Sequence, residues 1–104
     1  MRQIRFHPSA AIDAEEAAIW YAAVRPALGT DFLLELEAAL ALLRQKPIPS
    51  TPHPRLPSRL GVRRIVLKRF TYDLVYVERE AAILVVAIAH HSRRPDFWKA
   101  RLST

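Results

Sequence analysis

The chain has 104 residues, a formal net charge of +6 and no cysteine. That length suits one domain, residues 1–104, with one modest core drawn from the 51% of residues that are apolar. The missing thiols exclude a disulfide framework and a thiolate metal site. No apolar run approaches the roughly 20 residues needed to span a bilayer. Residues 1–8 lack the apolar stretch and small-residue site of a secretory leader, so the expectation is a cytoplasmic protein without membrane contact.

The charge is unevenly spread. Residues 1–46 carry five Lys/Arg against six Asp/Glu, net −1, whereas residues 47–104 carry eleven against four, net +7. A basic half on a small domain points to a polyanion or an acidic partner protein, set against the plainer reading of a solvated basic surface.

In chain order, Arg2-Gln3-Ile4-Arg5-Phe6-His7 alternates polar and apolar residues and predicts a short edge or hairpin strand, ended by Pro8. Residues 9–24 are alanine-rich and free of glycine, with Asp13, Glu15 and Glu16 in the first half. They predict a helix that stops before Pro26. Leu28, Phe32, Leu36, Leu40 and Leu43 recur at helical spacing and give a second helix one apolar face. Its acids Asp31, Glu35 and Glu37 come early and its bases Arg44 and Lys46 late, as the helix dipole favours. A short connection around residues 25–29 predicts an antiparallel hairpin.

Pro47, Pro49, Pro52, Pro54 and Pro57 then crowd together. Proline lacks the N–H that helices and central strands need, so this stretch reads as a stiff, extended connection. Residues 62–70 alternate aliphatic and basic side chains and predict a strand. Residues 72–78 predict a second, rich in β-branched and aromatic residues, and residues 82–89 a third. The third is apolar throughout, as for a central strand covered on both faces. Residues 95–102 form a short helical or irregular tail. The predicted fold class is α+β in the order β-α-α-β-β-β.

The chemistry-bearing residues gather late. Arg63 and Arg64 are adjacent on a strand and so face opposite sides; one suits a phosphate or partner contact. His90 ends the last strand beside Arg93 and Arg94, placed either as a general acid or base or as a structural strand-end histidine. His91 points the other way. Metal-free RNA cleavage needs a base, a cationic clamp and an acid, for which His90, Arg63 and Arg94 are the candidates. Arg63, Arg64, Lys68, Arg69, Arg93 and Arg94 are the candidate target-binding cations. Tyr76 and Trp98 are read as packing residues more readily than as base-stacking ones. No His/Asp/Glu spacing matches a metal site, and neither metal nor cofactor is expected.

Four stretches taken together resemble a known family. They are Asp13-Ala14-Glu15-Glu16-Ala17-Ala18-Ile19-Trp20-Tyr21; Phe32-Leu33-Leu34-Glu35-Leu36-Glu37-Ala38-Ala39-Leu40 with Pro47; the run from Val62-Arg63-Arg64 to Tyr72-Asp73-Leu74-Val75-Tyr76; and the close Ala87-Ile88-Ala89-His90-His91-Ser92-Arg93-Arg94-Pro95-Asp96-Phe97-Trp98. In order and spacing they resemble the RelE/ParE toxin superfamily of type II toxin–antitoxin systems over nearly the whole chain. The resemblance implies a helical hairpin packed on a small antiparallel sheet, a growth-inhibiting role, a cytoplasmic location and a cognate antitoxin. That antitoxin is expected to be an acidic or amphipathic segment that wraps the toxin, with Trp20 and Tyr21 as a docking point. ParE-like members bind DNA gyrase, RelE-like members cut mRNA on the ribosome, and a degenerate member would bind its antitoxin alone. Asp73 occupies a place where RelE-like nucleases carry a basic residue, which tilts the expectation towards gyrase.

Overall fold

The structure is a computed structural model that describes residues 2–103. Strand β1 (Gln3–Phe6) is followed by helices α1 (Pro8–Val24) and α2 (Pro26–Leu42). Then come strands β2 (Thr51–Pro52), β3 (Val62–Val66), β4 (Tyr72–Glu78) and β5 (Ala82–His90), and a one-turn helix α3 (Asp96–Lys99). The α+β class and the predicted element order hold, with β2 added as a two-residue edge strand inside the proline-rich connection.

Each helix starts where the sequence makes starting easy. The His7 side chain accepts the Ser9 N–H at 3.1 Å and caps α1, with Pro8 in the first helical position. Arg25 alone joins the helices, and it is extended (φ −162°), the conformation that Pro26 imposes on the residue before it. The inner stripe of α1 is Ala10, Ala14 and Ala17; that of α2 is Phe32, Leu36 and Ala39. Where the helices meet, Gly29 lies against Ala18 and Ala22 so closely that no side chain fits between them.

The sheet order is β1-β5-β4-β3-β2. All pairings are antiparallel except β1 with β5, which is parallel, so the sheet is mixed. Period-two alternation identified β1 as an edge strand but carries no information about its direction. The pairing of β4 with β5 slips between Val75, opposite Ala87, and Tyr76, opposite Val85, leaving Val86 as a bulge. Strand β3 stops at Val66, short of the predicted residue 70. Beyond it Leu67 and Phe70 turn into the core under the hairpin, and Arg69 reaches Glu35 on α2 at 2.7 Å.

Both faces of the sheet are covered. The hairpin covers Ile65, Leu74, Tyr76, Ile83, Val85 and Ile88. On the other face Trp98, almost fully buried, packs with Leu56 and Leu102 against Val62, Val75, Val77, Val86, Ala87 and Ala89. The tail therefore supplies half of a second apolar layer, and Trp98 and Tyr76 are packing residues.

Candidate functional site

A groove of about 560 Å³ opens between α1, the ends of β4 and β5, and the tail. Trp20, Tyr21, Tyr72, His90, Arg93 and Phe97 line it, with Asp13 and Glu16 on the α1 side. Its aromatic wall continues the core. Tyr21 meets Trp20 edge-on at 5.1 Å, stacks on Phe32 at 5.4 Å and touches Phe70 at 4.8 Å. Burial raises the Tyr72 hydroxyl above its ordinary pKa, so it stays a neutral donor. Arg93 stacks over Phe97 at 4.5 Å.

His90 lies in this groove with both ring nitrogens engaged. Nδ1 accepts the Ser92 N–H at 3.0 Å and meets the Ser92 hydroxyl at 2.8 Å. Nε2 lies 2.9 Å from the Thr71 hydroxyl, to which it donates once Nδ1 is an acceptor. A ring held at both ends in this way orders the turn after β5.

Of the predicted cations Arg93 shares the groove with His90, whereas Arg63, Arg64 and Arg69 are engaged elsewhere. Arg63 and Arg64 do face opposite sides. On the hairpin side Arg63 donates from Nε to the Ser50 hydroxyl and from a terminal nitrogen to the Ser50 carbonyl, both at 2.8 Å. The same hydroxyl lies 2.6 Å from the Tyr76 hydroxyl, so Arg63 fastens the proline-rich connection to the sheet. On the tail side Arg64 donates to Asp73 at 3.0 Å. Arg69 is bound to Glu35 and Asp31. Burial pulls the Glu35 carboxyl upward, but the hydrogen bonds from Arg69 outweigh it and leave the pKa below its ordinary value. Lys68 and Arg94 are exposed, and their side chains make no hydrogen bond or ion pair among the described residues.

Asp73 on β4 meets His91, the residue that follows β5. Its Nε2 lies 2.8 Å from Asp73 Oδ1, while Arg64 holds Oδ2 of the same carboxylate, only 4% exposed. Beside them His53, 9% exposed, accepts the Arg55 N–H and packs edge-on to Trp98 at 5.4 Å. Burial, helped by the Arg64 charge, pushes its pKa down. Among the described residues no group of three or more His, Cys, Asp or Glu is arranged to hold a metal ion.

Several contributors escaped the sequence reading. Phe97 sits in a motif-like close but gives no sign of its groove. Asp13 looks like an ordinary first-half helix acid, yet it binds Arg101 at 2.6 Å and accepts the Ile88 N–H at 3.2 Å. Contacts 88 and 75 residues apart leave no local signal.

No curated protein matches the chain significantly. The model of the family described as the ParE toxin of the type II toxin–antitoxin system parDE matches residues 4–95, which takes in the helical hairpin, β1 apart from Gln3, strands β2 to β5, and the groove's His90 and Arg93. The chain belongs to the ParE toxin family of type II toxin–antitoxin systems.

Proposed function

We propose that this toxin acts by binding, with DNA gyrase as its target, and that its cognate antitoxin neutralises it by occupying the aromatic groove at Trp20, Tyr21 and Phe97. One observation carries the reading: the groove is open with an aromatic wall, while most of the polar groups a nuclease would use are already engaged within the fold. His90 is held at both nitrogens, Arg63 serves Ser50 and Arg64 serves Asp73. Arg93, Arg94 and Lys68 remain as exposed cations for an acidic target surface, contributing more to encounter rate than to affinity. Purified toxin should inhibit supercoiling by gyrase while leaving added mRNA intact. Message cleavage with gyrase unaffected would overturn the reading. For the antitoxin, encoded by a neighbouring gene, Trp20→Ala should weaken binding about 30-fold, the loss of an aromatic anchor of roughly 2 kcal/mol.

A second reading has its own observation. His91 rests one nitrogen on a buried carboxylate that is itself held by Arg64, an arrangement that orients an imidazole for proton transfer. If the protein cuts RNA, this dyad is the better placed base. Cleavage would then vanish in His91→Ala and persist in His90→Ala.

A further inference from the structure

Among the described residues the fold half-buries three of its Lys/Arg side chains, Arg63, Arg64 and Arg101. Arg64 is paired with Asp73 and Arg101 with Asp13. Arg63 has no carboxylate partner. Its Nε and one terminal nitrogen donate to the hydroxyl and the carbonyl of Ser50, both uncharged acceptors. Withdrawing a charge from water without a counter-ion is costly, and a bound anion relieves that cost.

Arg63 lines a cleft of about 320 Å³, at the small end of the range for small-molecule sites. This cleft lies at the far end of β4 from the aromatic groove and shares no residue with it. One wall is Arg63, Tyr76 and Glu78 from β3 and β4; the other is the segment after α2, with Lys46 and Ile48; Arg2 completes it. The register that sets Arg63 opposite Tyr76 puts both on one face of the sheet, and alternation adds Glu78. The Tyr76 hydroxyl meets the same Ser50 hydroxyl that Arg63 binds, at 2.6 Å, so the wall is built and held before any ligand arrives. Glu78 is bound by Arg2. Lys46 and Arg63 are left without an acidic partner among the described residues, and the three cations against one carboxylate give the cleft a net charge of +2.

We propose that this cleft binds a small hydroxylated phosphomonoester of the sugar phosphate class, with its phosphoryl group between Arg63 and Lys46 and its hydroxyls towards Glu78. The charges select the head group. A phosphomonoester carries close to two negative charges at neutral pH, which matches the excess in the cleft. Arg63 has a terminal nitrogen that Ser50 does not use, and Lys46 adds a point charge on a flexible stem. The carboxylate selects the rest. Glu78, its charge offset by Arg2, accepts hydrogen bonds that a hydroxylated body can donate and a bare anion without protons cannot. Ile48 offers apolar contact to the carbon skeleton. A ligand seated there bridges Lys46 to β3 and so fastens the start of the proline-rich connection to the sheet.

Titration calorimetry on the full chain at roughly 0.15 M salt, with ribose 5-phosphate, inorganic phosphate and ribose as probes, tests the proposal. Ribose 5-phosphate should bind about tenfold more tightly than inorganic phosphate, and ribose should give no heat of binding. Lys46 is exposed and its side chain makes no hydrogen bond or ion pair among the described residues, so Lys46→Gln leaves the fold intact. It should weaken ribose 5-phosphate about tenfold, as should Arg63→Gln, whereas Lys99→Gln on the distant tail should change nothing. At ten times the dissociation constant the ester should raise the melting temperature by about 6 °C, and the same concentration should raise that of Lys46→Gln by only about 2 °C. Absence of saturable binding up to roughly 10 mM overturns the proposal. So does equal binding of the ester and inorganic phosphate, the mark of an adventitious ion only, and so does an equal loss in Lys46→Gln and Lys99→Gln, the mark of bulk charge.

Discussion

Asp13 accepts three hydrogen bonds with one carboxylate. Oδ2 accepts the Arg101 guanidinium and the Ile88 N–H, and Oδ1 takes a second guanidinium nitrogen at 3.3 Å. Arg101 in turn donates to the Val86 carbonyl at 3.1 Å. The pair thus satisfies the backbone of β5 beside its bulge, where β1 has already ended, and both side chains are at most 15% exposed. Removing either partner strands a buried charge, so Asp13→Asn and Arg101→Met should each cost about 3 kcal/mol in urea unfolding. The double change should cost less than the two together, because the second removal leaves nothing further unpaired. His53 makes a separate prediction. Its folded pKa lies below the ordinary 6.5, so the unfolded chain takes up the proton first as pH falls. Its contribution to stability is therefore whole above about pH 6.5 and is lost as pH falls from there through the folded value. Melting temperature should drop between neutral pH and pH 5, and less so in His53→Gln. An equal drop in both proteins would remove His53 as the cause.

At the level of elements, the helix pair depends on close approach at one position. A Cβ on Gly29 would lie 2.8 Å from the Ala22 Cβ and 2.9 Å from the Ala18 carbonyl oxygen. Alanine at 29 gains about 1 kcal/mol of helix propensity but forces the helices apart. The expected net effect of Gly29→Ala is a loss of about 1–3 kcal/mol by thermal or urea unfolding. Ala22→Gly in the same chain should recover only part of it, because the contact with the Ala18 carbonyl is backbone. Both helices were legible in the sequence because periodicity, proline placement and the order of charges agree. The end of β3 was not: its alternation runs on to residue 70, but Glu35 and Asp31 on α2 draw Arg69 out of line, and Phe70 gains more by burial beside Phe32 than by extending a strand.

For the molecule as a whole, the tail decides whether the sheet has one wet face or none. Trp98 covers the face opposite the hairpin, and Trp98→Ala should cost about 3–5 kcal/mol, measured by chemical denaturation. The same change should expose His53 and reduce the pH dependence described for it, a readout that a loss of packing elsewhere would not give. The hairpin carries −5 and the rest of the chain +11, so the protein presents opposite charges on different surfaces and is suited to two different contacts.

The family, the element order and the uneven charge follow from the sequence alone, because periodicity, proline spacing and motif order are local or additive properties. Of the expected docking pair, Trp20 is exposed, whereas Tyr21 is half-buried against Phe32 and Phe70. The company each polar side chain keeps was decided only in three dimensions. His90 joins Trp20 and Tyr21 in one groove, His91 meets Asp73, and Arg63 and Arg64 are drawn to Ser50 and Asp73 on opposite faces. A strand's period of two separates neighbours onto opposite faces. Which partner waits there depends on strand pairing and on a bulge that shifts the register, neither of which the order of residues along the chain specifies.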